Sequence, residues 1–401
     1  MIEPPAGNLE TDRIASLDIF RGLTVLVMVF VNNLSGVRGL PWWTYHMPED
    51  ANGMTYVDMV FPAFLFMVGM SIPLAIDHRR AKGASYIKIL AHVVTRSISL
   101  VFMGLLLANL GNTDPQLTGI RPRLWAELAF AGIFLFWNRY PRSGKLRPFY
   151  AVLKWSGLLL LAWLVFIFKR RTAQHTSATL DFSYPEILGL IGFAYFSVSI
   201  LYILIKKNVW AFVVCLVALN AMNAACQMGS LRWLANIPIY FWPFETGSSS
   251  SITMAGLVAY FIFFETTLAA SFKAKAFWAL GYAVVLFGAG WALMPLGISK
   301  DHGTPTWCLY SAAACVVIFL VLFWVADVKR STRWAWFVYP AGSNTLTTYL
   351  LPWAFYSVPF VGRIFAFGPE GWVGVVRAFV FTAFILALSA VATRLRIRLQ
   401  L

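Results

Sequence analysis

The stretch GTPTWCLYSAAACVVIFLVLFWVA, residues 303–326, contains no Asp, Glu, Lys or Arg. A helix that crosses the hydrocarbon core of a bilayer needs about 20 mainly apolar residues, and this stretch is long enough. Residues 276–299 and 334–362 also lack all four charged residue types. The fold is therefore dictated by membrane-spanning segments rather than by one water-soluble core.

The composition of the whole chain agrees with this interpretation. Of its 401 residues, 59% are hydrophobic, 16% are aromatic and only 12% are charged, whereas soluble domains contain about 25% charged residues. A soluble enzyme, a secreted disulfide domain and a disordered chain are therefore all unfavourable interpretations. The apolar runs do not alternate with polar residues, as they would in a membrane β-barrel. We predict an all-α, polytopic integral membrane helical bundle.

We predict about 11–12 transmembrane helices in a single transmembrane domain, residues 1–401. It comprises a short N-terminus (1–16), spans over about 17–392 and a basic C-terminal tail (393–401). The fourth span is the least apolar, because Arg123 and Glu127 fall within it. The twelve candidate spans are residues 17–36, 57–76, 87–109, 122–138, 150–168, 185–205, 209–227, 250–270, 276–297, 306–326, 336–358 and 370–392.

The net charge of +15 indicates membrane topology rather than nucleic-acid binding, because Lys and Arg form short clusters between the apolar runs. With twelve spans, 18 of these residues lie on the side of both termini and eight on the other. Basic loops stay in the cytoplasm, so we predict that both termini are cytoplasmic. In a bacterium the protein would lie in the plasma (inner) membrane. Lys169–Arg171, on the outer side, is the exception.

Polar residues near the predicted cytoplasmic side could form a ligand site. Asp18 and Arg21, in the SLDIFRG motif, are three residues apart and share a helix face. They form either a local ion pair or a fixed charge pair beside a ligand entrance. Arg96 lies at membrane depth, where charge is costly, and is either paired with Glu127 or a phosphate ligand. Asn344, in GSNTLTTY, belongs either to helix packing or to a polar tunnel wall.

A second polar group lies at the outer ends of the first two spans. Asn32 ends the first span, His46 is in the following loop, and Asp58 begins the second span. Thr55-x-x-Asp58 fits a capping box, which would explain Asp58 structurally. A carboxylate that fixes one tautomer of an imidazole also suits a general base.

The sequence lacks the motifs of several common metal, nucleotide-binding and hydrolase sites. The four cysteines lie in apolar runs, and there is no CxxC, HExxH, Walker A, GxSxG or dinucleotide-binding glycine motif. The sequence therefore predicts no metal site and no nucleotide hydrolysis.

Residues 13–76 resemble the heparan-α-glucosaminide N-acetyltransferase family, and in particular its bacterial relatives. The resemblance rests on SLDIFRG, on MVFVNN, on His46 and on NGMTYVDMVFPAFLFMVGMSIPLAI, and it returns at SKDHGTPTWC and AGSNTLTTYLLP. It implies a membrane acyltransferase that takes an acetyl group from cytosolic acetyl-CoA. The acceptor would be a glucosamine-type sugar or other glycan on the outer face. His46 matches the catalytic histidine and Asn32 the asparagine beside the acetyl group. A homodimer is compatible with this interpretation.

The chemistry can follow two routes. His46 either deprotonates the acceptor as it attacks the thioester, or first carries the acetyl group itself, while Asn32 stabilises the oxyanion. Twelve spans with Pro and Gly interruptions also suit a secondary transporter of a sugar or amphiphile, and a non-catalytic assembly factor is a third alternative.

Overall fold

The computed structural model describes residues 14–141, 143–172, 176–231, 233, 246–265, 270–358, 364–365 and 368–401. Most of the predicted N-terminus, residues 1–13, lies outside them. The helices in chain order are α1 (Ala15–Leu34), α2 (Val60–Ala81), α3 (Tyr86–Ala108), α4 (Pro115–Thr118), α5 (Pro122–Trp137), α6 (Arg147–Ile167), α7 (Glu186–Ile205), α8 (Val209–Gln227), α9 (Ser248–Phe264), α10 (Phe272–Ala292), α11 (Pro305–Phe323), α12 (Tyr339–Ser343), α13 (Thr345–Ser357) and α14 (Gly371–Arg394). Two short antiparallel strands, β1 (Arg170–Arg171) and β2 (Ser177–Ala178), follow α6.

The predicted fold class is confirmed. Within the described residues, nine helices are long and apolar enough to cross a membrane, and the chain is an integral, multi-pass membrane protein. The predicted spans 122–138, 250–270 and 336–358 fall on the shorter helices α5, α9 and α13. Of these, α9 is buried over nearly its whole length, so it forms the centre of the bundle.

The prediction of one continuous helix over residues 336–358 is wrong. Helix α12 ends at Ser343, and Asn344 separates it from α13 with a φ of −133° and a ψ of 45°. The Asn344 side chain donates a 2.9 Å hydrogen bond to the Ile397 carbonyl. An asparagine that bonds backbone outside its own helix favours a break over continuation.

Close helix contacts depend on glycines. A Cβ atom at Gly69 of α2 would lie 1.8 Å from the Thr253 carbonyl oxygen of α9, and one at Gly256 would lie 1.9 Å from that of Phe66. Helix α1 meets α12 in the same way, because a Cβ at Gly342 would lie 2.2 Å from the Asp18 carbonyl oxygen. Small residues let helix backbones approach closely in membranes, so SLDIFRG and AGSN pack against each other.

We expect Gly69→Ala to lower the apparent melting temperature of the detergent-purified protein, because the added methyl group forces α2 away from α9. Overpacking of this kind costs roughly 1–3 kcal/mol. Gly281→Ala in α10 is the matched control, since a Cβ there would meet nothing within 4 Å. Helix propensity alone should make that variant neutral or slightly more stable. Equal melting temperatures for the two variants would contradict the predicted packing.

The bundle has two ends, which we call the Arg21 end and the His46 end. The Arg21 end contains the start of α1 and the end of α2, and the His46 end contains the connection between these helices. Several basic segments meet at the Arg21 end. The Arg139 amide donates to the Arg398 carbonyl at 2.9 Å, and Lys207 forms an ion pair with Asp77 at 3.4 Å. Basic segments that are far apart in the sequence therefore lie together at one end of the bundle.

The basic run Lys169–Arg171 is balanced by nearby carboxylates. Arg170 forms an ion pair with Asp181 at 3.2 Å, and Arg171 forms one with Asp114. The Asp114 amide also donates to the Lys169 carbonyl at 2.9 Å. Backbone and side-chain hydrogen bonds together with Arg171 lower the pKa of the Asp114 carboxyl. Two of the three basic side chains in this run, Arg170 and Arg171, are thus paired with carboxylates of neighbouring loops, which reduces the exception to the charge distribution.

Candidate functional site

A histidine–carboxylate pair lies at the His46 end. The His46 Nδ1 atom is 2.7 Å from Asp58 Oδ1. The Asp58 side chain is 1% exposed, whereas that of His46 is 41% exposed. A buried carboxylate needs hydrogen-bond donors, so we assign the Nδ1 proton to this bond. That tautomer leaves Nε2 with its lone pair, free to accept a proton at the exposed side of the ring.

Asp58 also organises the loop that carries His46. Its Oδ2 atom accepts hydrogen bonds from the Thr55 amide at 2.9 Å and from the Met47 amide at 3.2 Å. Asp58 thus makes its half of the predicted capping box, but the Thr55 hydroxyl accepts from the Val57 amide rather than from the Asp58 amide. The box closes a 3₁₀ turn, Val57–Met59, immediately before α2. One carboxylate therefore caps the turn and orients the imidazole.

Lys300 is a member of this site that the sequence did not predict. Its Nζ atom lies 3.3 Å from His46 Nδ1 and 3.6 Å from Asp301. Because that imidazole nitrogen already donates to Asp58, we interpret Lys300 as a neighbouring cation rather than as its donor. From the sequence, Lys300 is one of the basic residues on the outer side, with no predicted role in a site. Its position in SKDHGTPTWC, one of the stretches with the family resemblance, was the available signal.

The connection between α10 and α11 holds the His46 loop in place. The Asn52 side chain accepts from the Ile298 amide at 2.7 Å, and the Gly53 amide donates to the Ile298 carbonyl at 2.9 Å. From α11, the buried Trp307 indole donates to the Asp58 carbonyl at 3.1 Å. Segments far apart in sequence thus fix the histidine and its carboxylate.

Asn32 does not join the pair by hydrogen bonding. Its side chain is exposed at the end of α1 and makes no hydrogen bond with the described residues. The neighbouring Asn33 is engaged instead, because its amide donates to the Tyr356 hydroxyl at 2.7 Å. A role for Asn32 beside an acetyl group stays a prediction.

A cavity of ≈ 830 Å³ at the Arg21 end brings together three of the four predicted ligand-binding residues, Asp18, Arg21 and Arg96. Arg21 forms an ion pair with Asp18 at 3.2 Å and donates to the Ser71 hydroxyl. Small-molecule sites typically occupy about 300–1,000 Å³. The cavity is therefore large enough for an extended cofactor or substrate.

Arg96 is the cavity cation with the fewest protein partners. Its guanidinium stacks over the Tyr195 ring, 4.7 Å from the centroid, and its buried Nε has no hydrogen-bond partner among the described residues. The predicted alternative in which Arg96 pairs with Glu127 is wrong, because Glu127 contacts Arg123 on its own helix at 3.8 Å. Arg96 thus presents to the cavity a positive charge that no carboxylate of the described residues pairs with.

Asn344 has a different position from the one expected of a tunnel wall. Ser343 and Thr345 on either side of it line the cavity, but the Asn344 amide donates to Ile397 and Thr393 near the end of α14. The described contacts give Asn344 a structural part in joining α12 and α13 to the C-terminal tail.

The cavity follows α2 through the bundle. Its lining runs from His78 at the Arg21 end to Phe64, a distance of about 20 Å at 1.5 Å per residue. Phe64 is only six residues from Asp58, which is roughly 10 Å of helix. One helix therefore connects the cavity at the Arg21 end to the histidine–carboxylate pair.

Most of the chain matches a known family of proteins. Residues 13–273 match the family described as a domain of unknown function, DUF5009. The chain belongs to this family. The DUF5009 match includes Asp18, Arg21, His46, Asp58 and Arg96, but it ends before Lys300.

Two curated relatives carry a functional name. The chain is 31% identical over 150 residues to heparan-alpha-glucosaminide N-acetyltransferase of Mus musculus, and 36% identical over 97 residues to the Homo sapiens protein of that name. These alignments cover 35% and 24% of this chain, but only 22% and 14% of the relatives. The DUF5009 chain is thus related in part to proteins named as N-acetyltransferases.

Proposed function

We propose that this protein is a membrane acetyltransferase that moves an acetyl group from acetyl-CoA to an amino sugar or other glycan. The single observation that carries the proposal is the 2.7 Å contact between His46 and the buried Asp58. A long cavity lined by two arginines, Arg21 and Arg96, and two aspartates, Asp18 and Asp77, approaches that pair from the other end of the bundle. In this proposal, donor and acceptor use separate entrances and the reaction takes place near the His46 end.

The Arg21 end suits the donor. Coenzyme A carries several phosphates, and arginine is well suited to bind phosphate through paired hydrogen bonds. Arg96, with its unpartnered Nε, and Arg21 are the candidate phosphate ligands. The basic loops at this end favour its cytoplasmic placement, where acetyl-CoA is available. The slender thioester arm would then extend along α2 toward Phe64.

At the His46 end, the acceptor amine or hydroxyl attacks the carbonyl carbon of the thioester. His46 Nε2 takes the proton from the attacking atom as the new N–C or O–C bond forms. The C–S bond then breaks, and the departing sulfur receives that proton and leaves as the CoA thiol. Asp58 holds the Nδ1 proton and stabilises the imidazolium that forms meanwhile. In the acyl-imidazole route, His46 Nε2 attacks the thioester carbon first and the C–S bond breaks, so that CoA leaves as the thiolate. The acceptor then attacks the acetyl carbon, the bond from that carbon to Nε2 breaks, and the proton lost by the acceptor neutralises the thiolate.

We expect Arg96→Gln to weaken acetyl-CoA binding by about tenfold or more, because a hydrogen bond to a charged group contributes roughly 1.5–3 kcal/mol. Calorimetric titration of the purified protein in nanodiscs at low salt would measure the dissociation constant. Arg38→Gln is the matched control, since Arg38 lies at the His46 end and pairs with Glu370. Unchanged binding by Arg96→Gln would remove Arg96 from the donor site.

The direct test of the proposed function uses purified protein in sealed vesicles, with labelled acetyl-CoA on one side and a glucosamine acceptor on the other. We expect labelled N- or O-acetyl product together with free CoA thiol in equal amounts. A secondary transporter is the alternative, and the broken α12–α13 helix beside the cavity favours it. A transporter would move unmodified sugar across the vesicle and release no thiol.

A further inference from the structure

A second cavity, of ≈ 590 Å³, lies between α10 and α11; we call it the lateral groove. Leu280, Val284 and Phe287 of α10 form one wall, and Val317 of α11 lies on the other. All four side chains are exposed although they belong to membrane-spanning helices. Exposed apolar side chains at such positions face lipid hydrocarbon, so the groove opens sideways into the membrane.

The lateral groove has a floor of small, nearly buried side chains between larger walls. Ala283 and Ala313 lie on the floor, each 6% exposed. Phe287 and Tyr310 stack with ring centroids 4.8 Å apart and line the groove as well. Residues 280 to 287 extend over two turns of helix, which is about 10 Å. The groove therefore has an apolar lining and a length that suit part of a narrow apolar chain.

The lateral groove borders the His46 site, because Thr55, whose amide donates to the Asp58 carboxylate, is one of its lining residues. Tyr56 and Met59 line its end, and they flank Asp58 in sequence. The connection between α10 and α11, the two helices that form the groove, carries Lys300 and binds the His46 loop through Ile298. A chain lying in the groove would place its head group beside His46.

Exposed aromatic rings lie next to the groove at this end. The Tyr56 and Trp43 rings are 6.2 Å apart, and both are exposed. Aromatic residues with a polar edge concentrate at the level of membrane head groups. Tyr56 contributes to both features, so the level of the head groups coincides with the mouth of the groove.

We propose that the lateral groove binds the apolar chain of a lipid-anchored acceptor, so that the substrate is a membrane glycolipid rather than a free sugar. This inference rests on the proposed acetyl transfer and specifies its acceptor class. The acceptor diffuses within the bilayer, the groove binds its chain, and the sugar head group meets His46 at the surface. The donor approaches separately through the larger cavity.

A matched pair of variants tests the groove. Val284 and Val285 are adjacent, and they are 69% and 67% exposed, but only Val284 lines the groove. With purified protein in nanodiscs, we expect Val284→Trp to raise the KM for a long-chain alkyl glucosaminide by about tenfold or more. Its KM for a water-soluble methyl glucosaminide should stay the same. Val285→Trp should change neither. Equal effects of the two variants, or equal use of both acceptors by the unsubstituted protein, would overturn the proposal.

Photolabelling separates this proposal from acetyl transfer itself. A long-chain glucosaminide with a diazirine in its chain should label peptides of α10 and α11, and Val284→Trp should abolish that labelling. Unlabelled long-chain glucosaminide should compete for the site, whereas a phospholipid with the same chain should not. Equal competition by phospholipid would mean that the groove holds ordinary membrane lipid and would overturn the proposal. Specific labelling without any transfer would retain the groove and contradict the proposed enzyme.

Discussion

His46→Ala should reduce acetyl transfer by about 100-fold or more, the usual effect of losing a general base. Acetyl-CoA binding should stay near its original affinity, because His46 does not line the cavity at the Arg21 end. The expression level should also be maintained, since the half-exposed ring packs in a surface loop. Steady-state transfer to a glucosamine acceptor and a separate titration with acetyl-CoA would measure both properties.

His302→Ala is the matched control for this experiment. His302 lies on the same α10–α11 connection as Lys300 and is exposed, and its hydrogen bonds with the described residues involve its backbone. We expect this variant to transfer at nearly the original rate. If His46→Ala transferred as fast as His302→Ala, the reaction would have to be catalysed elsewhere.

An experiment on the unsubstituted protein distinguishes the two chemical routes. Given acetyl-CoA without an acceptor, an enzyme that forms acetyl-His46 should release one equivalent of CoA rapidly and gain the mass of one acetyl group. Direct transfer should release no such burst. The burst, where present, should be absent from His46→Ala, because the nitrogen that would carry the acetyl group is missing.

Asp58→Asn should have the second large effect, lowering transfer by on the order of 10²- to 10⁴-fold. An asparagine amide cannot accept hydrogen bonds from every donor that now faces the carboxylate, and it would favour the wrong tautomer of His46. The variant should also melt at a lower temperature, because a buried unsatisfied donor costs about 1–3 kcal/mol. The assays are transfer rate and thermal unfolding of the same preparation.

Trp307→Phe separates these two consequences. It removes the indole hydrogen bond to the Asp58 carbonyl and weakens the same turn, but it leaves the carboxylate facing His46. We expect a similar loss of stability with most of the transfer rate retained. If Trp307→Phe lost as much transfer as Asp58→Asn, the effect of Asp58 would be structural rather than chemical.

The sequence predicted the class of fold because the requirement is local. Twenty apolar residues without charge satisfy their own backbone hydrogen bonds as a helix and must lie in lipid. That rule fails for residues 336–358, where the break at Asn344 depends on the Ile397 carbonyl. No local pattern reveals a partner that lies more than fifty positions further along the chain.

The candidate site likewise has a part that short-range sequence patterns predict and a part that only packing creates. Thr55-x-x-Asp58 is a short-range pattern, and the hydrogen bond from the Thr55 amide to the Asp58 carboxylate follows from the spacing. Lys300 could not be placed by such spacing, because it reaches His46 only through the docking of the α10–α11 connection. Arg96 could be recognised as unusual from its depth, but its neighbour Tyr195 comes from a helix that only packing brings close.

By itself, the sequence determined that the chain is a helical membrane protein, which basic segments share one end of the bundle, and that Asp58 caps the turn before α2. These features depend on hydrophobic length, charge placement and neighbouring residues. The tertiary structure alone decided that Asp18, Arg21 and Arg96 line one cavity and that Lys300 lies beside His46. It also created the lateral groove, because a space between two helices exists only after both have packed.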